Sequence, residues 1–140
     1  MKILIISTND NCRSQMAKTF LQSFDKSLKV FSAGTDSMEI VNPFAIRVMQ
    51  EIGIDIHGHH SKSVEEFRGQ KFDQIITVCD SAAEDCPLWL GKGQHTHIGF
   101  EDPARVTGSE VLQLRVFRQC REQIRQRVLG YLQQINATKE

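Results

Sequence analysis

Two short stretches, residues 2–6 (KILII) and 74–78 (QIITV), are apolar at nearly every position rather than at alternate ones. A strand carries that pattern when both of its faces are buried, which is the habit of parallel sheets covered by helices. Two weaker strands join them, residues 28–31 closed by Ser32-Ala33-Gly34, and residues 96–100. The segments between read as helices. Residues 13–24 carry Met16, Phe20, Leu21 and Phe24 at helical spacing. Pro43 suits the first turn of a helix running through Ala45, Ile46, Val48 and Met49 to Ile52, with Gly53 as its stop. Residues 109–135 form one long helix, with Phe117, Cys120, Ile124, Val128, Tyr131 and Ile135 along one stripe and Arg115, Arg118, Arg121, Arg125 and Arg127 mostly off it. Alternating strands and helices predict an α/β fold. It should be a parallel sheet of about four strands, with helices on both faces and right-handed crossovers.

The chain has 140 residues, which suits a single domain spanning 1–140. Its formal net charge is zero, so no overall field favours nucleic acid or anionic lipid, and any preference for anions must be local. No apolar run approaches the ~18 residues of a membrane span. The opening MKILIIS falls short of the ~7–15-residue hydrophobic region of a signal peptide. Four cysteines (Cys12, Cys79, Cys86 and Cys120) in an unexported chain read as buried small hydrophobes or redox groups rather than a disulfide framework. A cytoplasmic monomer is expected, without nucleic-acid or membrane partners.

Ligands of open parallel sheets sit beyond the carboxyl ends of the strands, near the switch in strand order. Ser7, Cys79 and Glu101-Asp102 should converge there. Between Ser7 and Ser14 the chain passes from a strand into a helix through Thr8, Asn9, Asp10, Asn11, Cys12 and Arg13. Consecutive amides can curl around one point, the helix N-terminus adds partial positive charge, and Arg13 can close the ring with its guanidinium fork. Such a ring holds a tetrahedral dianion. The plainer alternative is a polar turn that only caps the helix.

The segments NCRSQMA, FSAGT, VNPFAI, VMQEIGIDI, SKS, ITVCD, DCP and HIGFEDPARVTG occur in that order along nearly the whole chain. Together they resemble the thioredoxin-coupled arsenate reductases, which share the fold of the low-molecular-weight protein tyrosine phosphatases. The resemblance implies that the first strand lies between the second and third. It implies that Arg13 clamps an arsenate- or phosphate-type oxyanion and that Ser14 orients the nucleophile. Asp102 would protonate the leaving oxygen, while Cys79 and Cys86 would relay oxidation to thioredoxin. On a regular helix two residues seven apart lie about 10 Å from each other, beyond the ~7 Å limit of a disulfide. Pairing of Cys79 with Cys86 would therefore need an unwound segment, and Pro87, Gly91 and Gly93 supply a hinge.

The pattern breaks at Ser7, which stands where the family keeps its attacking thiol. Arsenate reduction takes two electrons from sulfur, and an oxygen ester cannot be opened by thiol exchange. Serine also needs a neighbouring base, which the loop sequence does not supply. Cys12 adjoins Arg13, so it does not replace Ser7. Where relatives carry Gly-Asn this chain has Asn9-Asp10; Asn9 is expected to take the left-handed turn, and Asp10 to weaken anion binding unless it points away or is protonated. The alternatives are a phosphatase-like hydrolase using Arg13 and Asp102, or a non-catalytic oxyanion-binding module. The histidines of HGHH (His57, His59, His60), with His95 and His97, lack an accompanying Cys-x2-Cys pair and are expected to face solvent, so no metal or cofactor is predicted. Trp89 and Leu90 are candidates for a lid or a thioredoxin-docking patch, or equally for packing under the relay loop.

Overall fold

The uniform burial expected of the first strand is met by a sheet with cover on both sides. The computed structural model describes residues 1–37, 40–80 and 93–138. The strands β1 (Lys2–Ser7), β2 (Lys29–Gly34), β3 (Gln74–Thr77) and β4 (Gln94–His97) pair in parallel, in the order β2-β1-β3-β4. The chain leaves β1 toward β2 on one side and later returns to β3 on the other. The strand order therefore switches at the carboxyl end of β1, the place where sheets of this kind hold their ligands.

Ile3 and Ile5 point to the face covered by the helices α1 (Arg13–Phe24), α2 (Pro43–Gln50) and α3 (Glu110–Thr138). There they join Met16, Phe20 and Leu21 of α1, Val48 and Met49 of α2, and Phe117, Ile124 and Val128 of α3. Leu4 and Ile6 point the other way, to Ala33, Phe67, Phe72 and Ile75, and a 3-10 helix at Val64–Phe67 lies in that layer. Because side chains alternate along a strand, one continuous apolar run serves both cores.

The element bounds differ from the expected ones for identifiable reasons. β2 runs on through Gly34 because its backbone stays in register with β1 to the pair Ser7↔Gly34. α2 stops at Gln50, ahead of a turn in which Gly53 has φ of 80°. β4 is set two residues earlier than expected, since ladder pairing with β3, not apolar content, defines it. Ile98 and Phe100, read from sequence as strand residues, instead lead from β4 toward the site. Their amides donate to Thr77 O and Val78 O at 2.8 and 3.2 Å.

Candidate functional site

The loop from Ser7 to α1 is held from outside. Ser7 O accepts from the Thr35 amide (3.4 Å), Thr8 O from the Asp36 amide (2.8 Å) and Asn9 O from Ser61 Oγ (2.7 Å). Asp10 O accepts from Gln15 Nε2 (3.1 Å), Asn11 O from the Asn42 amide (2.8 Å) and Cys12 O from the Met16 amide (3.0 Å). Every carbonyl from Ser7 to Cys12 is thus turned away from the loop interior, that of Cys12 into the first turn of α1. In a trans peptide the N–H points opposite its C=O, so the amides of residues 8–13 face the interior of the loop. No side chain caps α1 at Cys12, so the positive end of the helix meets that same interior.

Gly34 makes the arrangement possible. A Cβ there would lie 2.7 Å from Thr8 O, 2.9 Å from the Asn9 carbonyl carbon and 3.0 Å from Asp10 N. The left-handed turn falls on Asp10, at φ of 51°, and not on Asn9 as expected. Asn9 instead uses its side-chain amide to donate to Asp36 O at 2.9 Å. The turn folds the Asp10 side chain back beneath the loop, fully buried, so it does point away from the nest. Its Oδ1 accepts from Ser14 Oγ at 2.7 Å and its Oδ2 from the Lys62 amide at 2.9 Å. Burial raises its pKa above the ordinary carboxylate value, while the bonds from Ser14 and Lys62 pull the other way. Ser7 Oγ accepts the Asp10 amide at 2.9 Å and lies 2.9 Å from Ser14 Oγ. A carboxylate therefore stands one hydroxyl away from Ser7, a base that the loop sequence did not reveal.

Arg13 is buried, and its Nη1 donates to Phe100 O at 3.0 Å. Its Nη2 lies 3.8 Å from Asp102 Oδ2. Asp102 caps the short turn Pro103–Arg105 by accepting the Ala104 amide at 3.0 Å. Arg127 of α3 steadies this arm, donating to Gly99 O at 2.7 Å with its guanidinium 5.0 Å from the centre of the Phe100 ring. Cys79 follows β3, buried, one residue past the level of Ser7 in the sheet. It is disulfide-bonded, whereas Cys12 and Cys120 are free thiols. Cys86 lies outside the described residues, as do Pro87, Trp89, Leu90 and Gly91. Burial pushes the Cys12 thiol well above its usual pKa, and that of Cys120 up to about 12, which keeps both as thiols at neutral pH.

Ser7, Arg13, Ser14, Cys79 and Asp102 are thus gathered at the carboxyl edge of the sheet. Sequence reasoning missed Gln15, Gly34, Asn42, Ser61 and Lys62, which hold the loop from behind. Their only sequence signal was membership of the segments NCRSQMA, FSAGT, VNPFAI and SKS. Of the histidines, His59 is partly buried and its pKa is lowered, first by burial and then by Lys18 and Lys62. Among the described residues no cluster of His, Cys, Asp and Glu is gathered for a metal ion.

Known proteins share this architecture. The family described as low molecular weight phosphotyrosine protein phosphatase matches residues 2–140. An arsenate reductase of Halalkalibacterium halodurans is 36% identical over 127 residues, covering 90% of this chain and 91% of its own. A glutaredoxin arsenate reductase of Synechocystis sp. is 32% identical over 136 residues, covering 96% and 98%. Among solved structures, an arsenate reductase in its oxidized state superposes with a TM-score of 0.78 at 32% identity, covering 96% of this chain and 98% of that one.

Proposed function

The chain belongs to the low molecular weight phosphotyrosine protein phosphatase family, and from that membership we propose that it is an arsenate reductase-like protein whose loop 7–14 holds a tetrahedral oxyanion. The observation that carries this reading is the outward turn of all six carbonyls from Ser7 to Cys12, with buried Arg13 at the mouth beside Asp102. Aligned amides and a guanidinium bind arsenate or phosphate without any net charge on the protein. The arsenate reductases among its relatives support the choice of anion.

Cys79 and Cys86 form the thiol relay in this reading, discharged by thioredoxin. The disulfide at Cys79 supports it, and the name of the Synechocystis relative makes glutaredoxin the other reductant to assay. What the chain lacks is the first thiol. With cysteine at position 7, a thiolate would attack arsenate and release water. Cys79 would then attack that sulfur, arsenite would leave with the electron pair, and Cys86 would take over the disulfide for reduction by an external dithiol.

Comparing the chain with Ser7→Cys tests the proposal. Arsenate-dependent oxidation of thioredoxin is expected in the variant and absent from the unaltered chain. A folded Ser7→Cys protein that binds arsenate yet never reduces it would refute the relay. Hydrolysis of an aryl phosphate by the unaltered chain would favour the hydrolase reading, which the closeness of Asp102 to Arg13 supports.

A further inference from the structure

The buried chain of hydroxyls under the loop has a direction. Ser14 Oγ donates its one proton to Asp10 Oδ1 at 2.7 Å. At the 2.9 Å contact between the two hydroxyls, Ser7 must therefore be the donor and Ser14 the acceptor. Ser7 Oγ also takes up the Asp10 amide at 2.9 Å. While Asp10 is ionised, Ser7 sends its proton away from the loop interior and can offer an incoming anion only a lone pair.

The geometry points to Asp10 as a positioning residue that decides, through Ser14, which way the Ser7 hydroxyl faces and hence how tightly the loop takes a tetrahedral anion. This inference rests on the reading of loop 7–14 as an oxyanion site. When Asp10 gains a proton from solvent, that proton sits on Oδ1, because Oδ2 keeps the Lys62 amide. Oδ1–H then donates to Ser14 Oγ, Ser14 donates to Ser7 Oγ, and the Ser7 O–H turns inward as one more donor. One negative charge behind the nest disappears in the same step. Burial raises the Asp10 pKa from its ordinary value, against the lowering bonds from Ser14, Lys62 and Ser32.

Other charged groups face the same region. Lys62 packs against Asp10, and Lys18 of α1 lies close enough for Asp10 to influence its pKa. His59 adjoins both lysines, and Arg13 and Asp102 stand at the mouth. Protonation of His59 would also favour an anion, but through space and independently of Ser14.

Sulfate is the probe of choice, because it stays a dianion where phosphate and arsenate titrate. Its affinity for the whole chain, Asp10→Asn and Ser14→Ala is measured calorimetrically from about pH 4 to about pH 8, with circular dichroism reporting the fold at each pH. The unaltered chain is expected to bind about tenfold more tightly at the acid end, the scale of one charge-assisted hydrogen bond. Asp10→Asn should hold the acid-end affinity throughout, since its side-chain amide can donate permanently to Ser14. Ser14→Ala keeps every titrating group but cuts the chain, so its profile should become clearly shallower, leaving only the effect of the lost charge through space. A Ser14→Ala profile as steep as the original would assign the effect to charge acting through space and overturn the inference. If Ser14→Ala fails to fold, Asp10→Asn decides: His59 remains in it, and a slope like the original's overturns the proposal. Sulfate binding with a flat profile in the unaltered chain overturns this inference alone. Absence of binding in all forms at every pH overturns the oxyanion reading and this inference with it.

Discussion

At Gly34 the backbone of residues 8–10 occupies the space where a side chain would stand, with atoms at 2.7 to 3.0 Å from a Cβ position. All three are main-chain atoms, so none can rotate aside. The Gly34 amide is also committed, donating to Lys62 O at 2.8 Å. Gly34→Ala should therefore displace the loop. We expect a loss of about 1–3 kcal/mol, the usual cost of overpacking, together with weaker phosphate binding. Urea denaturation and a phosphate titration check this, and an alanine variant with unchanged stability would show that the loop is not held as described. Asp10 shows the complementary case, a residue whose role reverses with its backbone angle. At φ of 51° its carboxylate lies behind the nest rather than inside it.

Between elements, the clearest polar clamp joins the end of α2 to the middle of α3. Glu51 accepts from Arg118 at 2.7 to 3.0 Å and from Arg121 at 2.9 Å, and Arg121 also donates to Val48 O at 2.8 Å. The bonds from Arg118, followed by those from Arg121, hold the Glu51 carboxyl down at about 2. A carboxylate depressed in the folded state stabilises above its unfolded pKa, and that contribution is lost as pH falls through the folded value. Its side chain is 36% exposed, so solvent screening reduces the gain to about 0.5–1 kcal/mol. Glu51→Gln should lower the melting temperature by a few degrees at neutral pH, with the difference from the original vanishing between about pH 4.5 and pH 2. A difference that persists at pH 2 would count against the ion pair as its source. The same contacts explain why arginines on α3 do not form a free basic face: Arg118, Arg121 and Arg127 are tied to α2 and to the arm that carries Asp102.

For the whole molecule, α3 is the keystone of the larger core. Ile124 is fully buried where α1, α3 and β1 residues share one apolar cluster. Ile124→Ala should cost about 2–5 kcal/mol, a large share of the ~5–15 kcal/mol that holds such a domain together. The urea midpoint should fall with an unchanged slope and a single transition. A biphasic curve would mean that α3 can detach from the sheet without unfolding it. Because α3 also positions Gly99 and Phe100 through Arg127, a loss of packing there should be felt at Asp102.

Periodicity and composition along the chain were enough to establish the alternation of strands and helices, the double-sided burial of residues 3–6 and the gathering of Ser7, Arg13, Cys79 and Asp102 at one sheet edge. These follow from local patterns repeated over several residues, and from the rule that parallel strands open their carboxyl ends to ligands. The place of β4 was less legible, because the residues that make its ladder bonds, Gln94 to His97, are polar and largely exposed. The direction of the Asp10 carboxylate, the base reached through Ser14 and the supports from Asn42, Ser61 and Lys62 came only with the tertiary structure. A loop has no periodicity to read: its backbone angles are chosen by partners far along the chain, and they exist only once the fold has brought them together.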